Sequence, residues 1–278
     1  MNVRDRPTSA AAIITSLALF AGLSAQTPER RTFEVVSIKP NPDPTPVSGY
    51  SLKAGRFQGD NVTVSLLIAL AFGGGRPLSF NRIAGGPPWI IADHFNIVAT
   101  TGSDAPQDEP ALSKLRPGYL RGLLEDRFQF TYHWETRQLP IYALVLARKD
   151  GRLGPKLQRR TGDCSQAPAC DMKFGPGPGA MTLTGFSMQG LAENLLSSVG
   201  GAVIVNRTGL DGLFNIELRW VPENLRLNGF SREQFPTLDP DGPSVFDAVQ
   251  DQLGLKLEST TGPVEVLVID HVEHPSEN

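Results

Sequence analysis

The stretch Gly185-Phe186-Ser187-Met188-Gln189-Gly190 comes close to the G-x-S-x-G elbow of serine hydrolases, in which a serine on a strained strand-to-helix turn attacks an acyl carbon. The second glycine, Gly190, stands one position too far along. A serine nucleophile also needs a placed base and oxyanion donors. Ser187 aligns instead with Thr63: each hydroxyl precedes an apolar run of helical period, and an N-cap accepting a backbone N–H explains both.

The histidines are His94, His133, His271 and His274. None makes an H-E-x-x-H or another spacing that gathers three ligands, so a metal site would have to be assembled across the fold. His133 stands beside Glu135 on the polar side of a strand, as on a solvated sheet face. His271 and His274 follow the last strand near the chain end, where fraying is expected. The glycine clusters in "FGGGRP" and "AGGPPW" do not follow a strand and open a helix, as a phosphate cradle requires; the first ends a helix and the second makes a turn before Trp89. Glu125 with Asp126, and Asp239 with Asp241, read as solvated charge. Asn61-Val62-Thr63 and Asn206-Arg207-Thr208 match glycosylation sequons, and turn and cap roles explain them as well. The residues therefore nominate no catalytic, cofactor-binding or metal-ligating group.

Cys164 and Cys170 are the two cysteines, six apart in one loop. In an exported protein such a pair reads as a disulfide. Export is what the N-terminus implies: Arg4 and Arg6 precede an apolar run from Ala10 to Leu23 that ends at Ser24 and Ala25, the layout of a secretory leader cleaved after Ala25. The run is shorter than the ~20 apolar residues of a spanning helix, and no later segment comes close. The expected location is periplasmic or secreted. A net charge of −3 on 278 residues, with no basic stripe, leaves no electrostatic footprint for nucleic acid.

The elements that must carry these residues occur twice. Phe-Asn-Ile stands at 95–97 and again at 214–216. Ahead of each lies a turn, a hydroxyl residue and an amphipathic run: Val64, Leu67, Ile68, Ala71 and Phe72 in one copy, Met188, Leu191, Ala192, Leu195, Leu196 and Val199 in the other. Behind each comes a Pro-bearing linker, then a helix running directly into a strand. Period two follows, with Phe128, Phe130, Tyr132 and Trp134 in one and Leu253, Leu255 and Leu257 in the other, as on a sheet covered on one face. Turns are expected at Arg137–Pro140 and Thr260–Pro263, each leading to a strand apolar on both sides, "IYALVLA" or "VEVLVI". Pro117 is expected to start or kink its helix. The Pro- and Gly-rich stretches at 41–51, 161–180 and 222–243 read as loops.

Several strings carry a family resemblance: "FEVVSIKPNP", "GRFQGDNVTV", "AGGPPW", "DRFQFTYHWETRQLPIYALVLAR", "NRTGLDGLFNIELRW" and the C-terminal "GPSVFDAVQDQLGLKLESTTGPVEVLVIDHVEHPSEN". Together they resemble the soil-associated protein family of acidobacterial genomes, a domain of unknown function. The resemblance implies an exported bacterial protein, and the fusion of some relatives to membrane-embedded metallopeptidases implies a sensory setting. Where that family commonly carries an acid before x-T-G-L, this chain has Asn206. The repeat unit is also similar in pattern to the short N-terminal domain of secretins and TonB-dependent receptors, which implies a module that touches other envelope proteins.

The expected fold is α+β, in two tandem related halves, each a small mixed sheet with two helices on one face. The leader occupies 1–25, the first half 26–160, a Pro/Gly-rich linker with the disulfide 161–180, and the second half 181–278. The expected function is a non-catalytic binding or interaction module of the bacterial cell envelope, with a protein partner or small ligand, no cofactor, no nucleic acid and no membrane span in the mature chain. The alternatives are an envelope hydrolase with its site where the halves meet, and a small-ligand or glycan binder using Trp89, Trp134 or Trp220 as stacking platforms.

Overall fold

The computed structural model describes residues 30–275, apart from 46–47, 74–75, 104, 107, 163, 165–169, 176, 230 and 232. The expected leader lies outside the described residues. In chain order the elements are β1 (Val35–Pro40), β2 (Gly49–Lys53), β3 (Arg56–Val62), α1 (Val64–Phe72), β4 (Ile83–Gly85), α2 (Trp89–Ala92), β5 (Phe95–Thr100), α3 (Glu109–Phe128) and β6 (Thr131–Leu146). There follow β7 (Leu157–Arg159), β8 (Asp171–Phe174), β9 (Ala180–Phe186), α4 (Met188–Leu195), β10 (Ile204–Asn206), β11 (Phe214–Arg219), α5 (Glu223–Asn228), α6 (Val245–Leu253) and β12 (Leu255–His271). The α+β class holds. All three stretches expected as loops carry part or all of a short element: the start of β2, β8 and α5.

The strands form three four-stranded sheets, ordered β1-β5-β3-β2, β7-β11-β9-β8 and β10-β6-β12-β4. The first two share their order and are antiparallel throughout. Thr63 caps α1 by accepting the Leu66 N–H at 3.2 Å, and Ser187 caps α4 by accepting the Gly190 N–H at 3.1 Å. In the third sheet β4 runs parallel to β12 with Ile83 opposite Leu267, and β10 runs parallel to β6 with Ile204 opposite Tyr142.

The expected turns at Arg137–Pro140 and Thr260–Pro263 are absent. β6 and β12 run straight through them as long strands, paired antiparallel from Leu255–Leu146 to His271–Thr131, with Gln138 opposite Pro263 at the midpoint. What changes there is the buried face. On one face Tyr132, Leu267 and Ile269 join a core with α1 and α3, while Leu144, Leu255 and Leu257 join a second core with α4 and α6. On the opposite face, at mid-strand, Ile141, Val264 and Val266 form a third cluster with Leu139, Val203, Val205 and Val268. Alternation that switches face part-way reads in sequence as a break. Pro140 reinforces that reading, yet it is harmless in the strand. Tyr142 turns its N–H outward to the Val203 carbonyl at 2.9 Å. Pro140, two residues back, faces the same edge beyond the start of β10, where no ladder bond is lost.

The two portions are therefore not separate units. Each core is completed by the far end of the other portion's long strand, so the 161–180 stretch links segments that already share a sheet.

Helix α3 begins at Glu109, where the Asp108 carboxylate accepts the Ala111 N–H at 3.0 Å, and it carries Pro117 in its interior. Of the two expectations for Pro117, a helix start or a kink, the start is not met. From Pro117 to Leu124 every residue is buried. Such all-round burial marks a central helix, and part of the cover is residues 30–34. Arg31 donates its N–H to the Gly118 carbonyl at 3.1 Å, the Phe33 ring lies tilted with its centroid 4.9 Å from that of Tyr119, and Arg30 pairs with Glu125 and Asp126. A Cβ on Gly122 would stand 2.0 Å from the Arg31 carbonyl oxygen, so only glycine admits the strap.

Candidate functional site

Most of the chemistry-bearing residues serve the scaffold. The Ser187 hydroxyl is an N-cap. Asn206 Oδ1 accepts from the Thr208 N–H at 3.1 Å and from its hydroxyl at 2.8 Å, and Thr208 Oγ1 accepts from the Leu210 N–H. An acid in place of Asn206 could accept the same bonds, so the turn survives the exchange. Cys164 and Cys170 lie at disulfide-bonding distance, with Cα atoms 4.9 Å apart.

The histidines are dispersed. His133 Nδ1 lies 2.8 Å from Asp270 Oδ1 on the open face of the central sheet, and His271 Nε2 lies 2.9 Å from Glu273 Oε1. His274 does not fray as expected: its ring stacks 3.9 Å from Trp89 and its Nε2 lies 3.0 Å from Asp93 Oδ2. It borders a hollow of about 350 Å³ with Pro40, Pro44, Asp93 and His94. Trp134 meets the Phe72 ring edge-on, and Trp220 packs against the second core. Among the described residues no three His, Cys, Asp or Glu side chains stand together as a metal site. No described helix is long and apolar enough to cross a membrane.

A hollow of about 500 Å³ opens where the two portions meet. One wall is the connection from α1 to β4: Gly73, Arg76, Pro77, Leu78, Ser79 and Arg82. The other is α4 and the start of β10, with Gln189, Glu193, Leu196, Val203 and Ile204. Two bonds clamp the connections to each other, from Ser79 Oγ to the Gly201 carbonyl at 2.6 Å and from Asn81 Nδ2 to the Gly200 carbonyl at 3.0 Å. Gly200 and Gly201 take left-handed φ values of 68° and 76°, and a Cβ on Gly201 would stand 2.9 Å from Ser79 Oγ. Close approach of backbone at this seam is what the glycine pair provides.

The cleft's electrostatics centre on Arg82. Its Nε donates to the Glu265 carbonyl at 2.8 Å, which fixes the guanidinium plane. No carboxylate among the described residues pairs with it. Burial pushes its proton affinity below the ordinary value and the more distant Glu265 carboxylate pushes it up; that carboxylate is engaged by the Thr136 hydroxyl at 2.6 Å. Arg76 stands exposed at the rim. Across the cleft Glu193 accepts from Gln189 Nε2 at 3.1 Å. Apolar Leu78, Leu196 and Val203 also line it. An apolar-walled hollow with a few convergent polar groups is the usual form of a ligand site. Sequence reading passed over Arg82 because it stands alone in a turn; only the crossing of the two connections gives it a cleft to line.

No curated protein and no solved structure matches the chain. A family model described as a protein of unknown function, DUF3738, matches residues 65–272, a span that begins in α1 and ends just past β12. With three quarters of its length under that match, the chain belongs to the DUF3738 family of proteins of unknown function.

Proposed function

We propose that this chain is an exported, non-catalytic binding module of the bacterial cell envelope, and that the junction cleft is where it holds a small ligand. The observation that carries the reading is the cleft itself: about 500 Å³, walled by both portions, with one fixed guanidinium that has no carboxylate partner among the described residues. That volume falls within the range of small-ligand sites. Export is supported by the leader-like N-terminus and by a cysteine pair at disulfide distance, which suits an oxidising compartment. The cleft's described lining offers a single carboxylate, Glu193, and no histidine or cysteine, so the hydrolase alternative gains no support from it.

Two measurements test the reading. The first is fractionation with N-terminal sequencing of the recovered protein; a mature end at Gln26 in the envelope fraction is expected, and a cytoplasmic chain retaining residues 1–25 refutes export. The second is thermal denaturation against a library of small envelope metabolites and glycans. A saturable rise in Tm, lost in a variant with Val203→Arg blocking the cleft, is expected. A rise that survives the block places binding elsewhere.

A further inference from the structure

We infer that the junction cleft takes a short peptide through its free ends, with the terminal carboxylate on Arg82 and the terminal ammonium toward Glu193. This deepens the binding-module reading and rests on it. Three charged residues line the cleft, Arg76 and Arg82 on one wall and Glu193 on the other. Arg82 presents a planar fork whose Nε is already spent on the Glu265 carbonyl. Its terminal nitrogens meet no acceptor among the described residues. The more distant Glu265 carboxylate answers this half-buried cation without bonding to its fork, and a carboxylate is the planar acceptor that a guanidinium fork fits.

On the facing wall Glu193 receives one bond, from Gln189 Nε2, and keeps further lone pairs. An ammonium is a donor with no acceptor capacity, which suits such a wall. Leu78, Leu196, Val203 and Ile204 add apolar lining, which favours apolar side chains on the ligand. A volume of about 500 Å³ exceeds what a single amino acid fills and suits two or three residues. An inorganic anion would satisfy Arg82 but leave Glu193 and the apolar lining unused. Arg76 at the rim adds to the field that draws a carboxylate in.

The test uses the mature chain and three probes: alanyl-leucine, its C-terminal amide and its N-acetyl derivative, titrated calorimetrically at low salt, with inorganic phosphate as a fourth. Free alanyl-leucine is expected to bind, the amide at least tenfold more weakly, and the N-acetyl form more weakly by a smaller factor. In Arg82→Lys the charge stays but the fork is lost, and binding of the free dipeptide should fall about tenfold; in Glu193→Gln the preference for a free amino end over the acetylated one should disappear. Circular dichroism and Tm confirm that both variants fold, and Arg76→Gln at the exposed rim supplies a second, milder probe of the carboxylate end. Equal binding of amide and acid, phosphate binding without dipeptide binding, or no binding of any dipeptide overturns the inference. A chain that shows cleft-blocked Tm shifts with other metabolites while ignoring the dipeptides keeps the broader binding reading and loses only this one.

Discussion

Asn61 donates its backbone N–H to the side-chain oxygen of Asn96 at 2.9 Å, from a left-handed conformation at φ 56°. The matching bond runs from the Gly185 N–H to Asn215 Oδ1 at 3.1 Å, with Gly185 at φ 72°. Both acceptors are the middle residue of the repeated Phe-Asn-Ile. Each ladder slips beside its left-handed residue, between Gly59 and Val62 in one sheet and between Phe214 and Asn215 in the other. The asparagine restores an acceptor to an N–H that the bulge takes out of the ladder. Asn96→Ala and Asn215→Ala should each lower stability by about 1–2 kcal/mol, read from urea denaturation, while the corresponding aspartates should retain most of it.

Gly185 also sits under the disulfide. A Cβ there would stand 2.2 Å from Cys170 Sγ. Gly185→Ala should therefore cost about 2 kcal/mol or more, combining left-handed strain with the clash. In a Cys164→Ser, Cys170→Ser background the clash can relax, and a thermal-melt series should show the penalty shrink to the backbone part, about 1 kcal/mol. An undiminished penalty would separate the glycine from the cysteines.

Because each core is closed by the other portion's strand end, neither portion should fold alone. Fragments 26–160 and 161–278 expressed separately should lack near-UV circular dichroism and a cooperative melt, and mixing them should restore both. Truncation before Leu267 should unfold the first core as well as the central sheet, since Leu267, Ile269 and Val272 belong to it. Independent melting of either fragment would refute the interleaving.

Arg121 is a charge in the first core, 7 % exposed. Its Nε donates to the Ala71 carbonyl in the last turn of α1 at 3.2 Å, and its guanidinium lies 4.6 Å from the Phe72 ring centroid. Burial pushes its proton affinity down, with Tyr132 and Glu125 opposing. Arg121→Met fills the space but strips the helix end of its donor, and a loss of about 2–3 kcal/mol is expected in denaturant titration. Lysine should not rescue it, because a single ammonium cannot both lie flat on the ring and reach the carbonyl.

The Lys156–Glu217 pair, 2.7 Å apart, gives a small pH signature. The hydrogen bond and charge of Lys156 hold the Glu217 carboxyl below its ordinary 4.5. Its contribution is present above the unfolded value and disappears as pH falls through the folded one. Both side chains are more than half exposed, so the contribution stays under about 1 kcal/mol. The Tm difference between the native chain and Glu217→Gln should be small at pH 7 and vanish in the acid range below 4.5.

What could be read in the sequence was local. Thr63 and Ser187 announced their helices because a hydroxyl before an apolar period of 3.6 has few other uses there. The period-two runs after α3 and α6 announced strands for the same reason. The mid-strand change of buried face was not legible: a parity switch at Pro140 or Pro263 looks identical to a turn until the partner strand is known. Nor was the cleft. Arg82 and Glu193 are more than a hundred residues apart, and nothing near either one marks it. His274 was misread because its position near the end outweighed a ring partner, Trp89, that only the fold supplies.

The long β6–β12 ladder also sets a timetable for the chain during its manufacture. A ribosome must complete the final strand before Leu267 and Ile269 can seal a core whose other walls were made some hundred and fifty residues earlier. Contacts so distant in sequence form late and slowly. Until that strand emerges the first core lacks one of its walls.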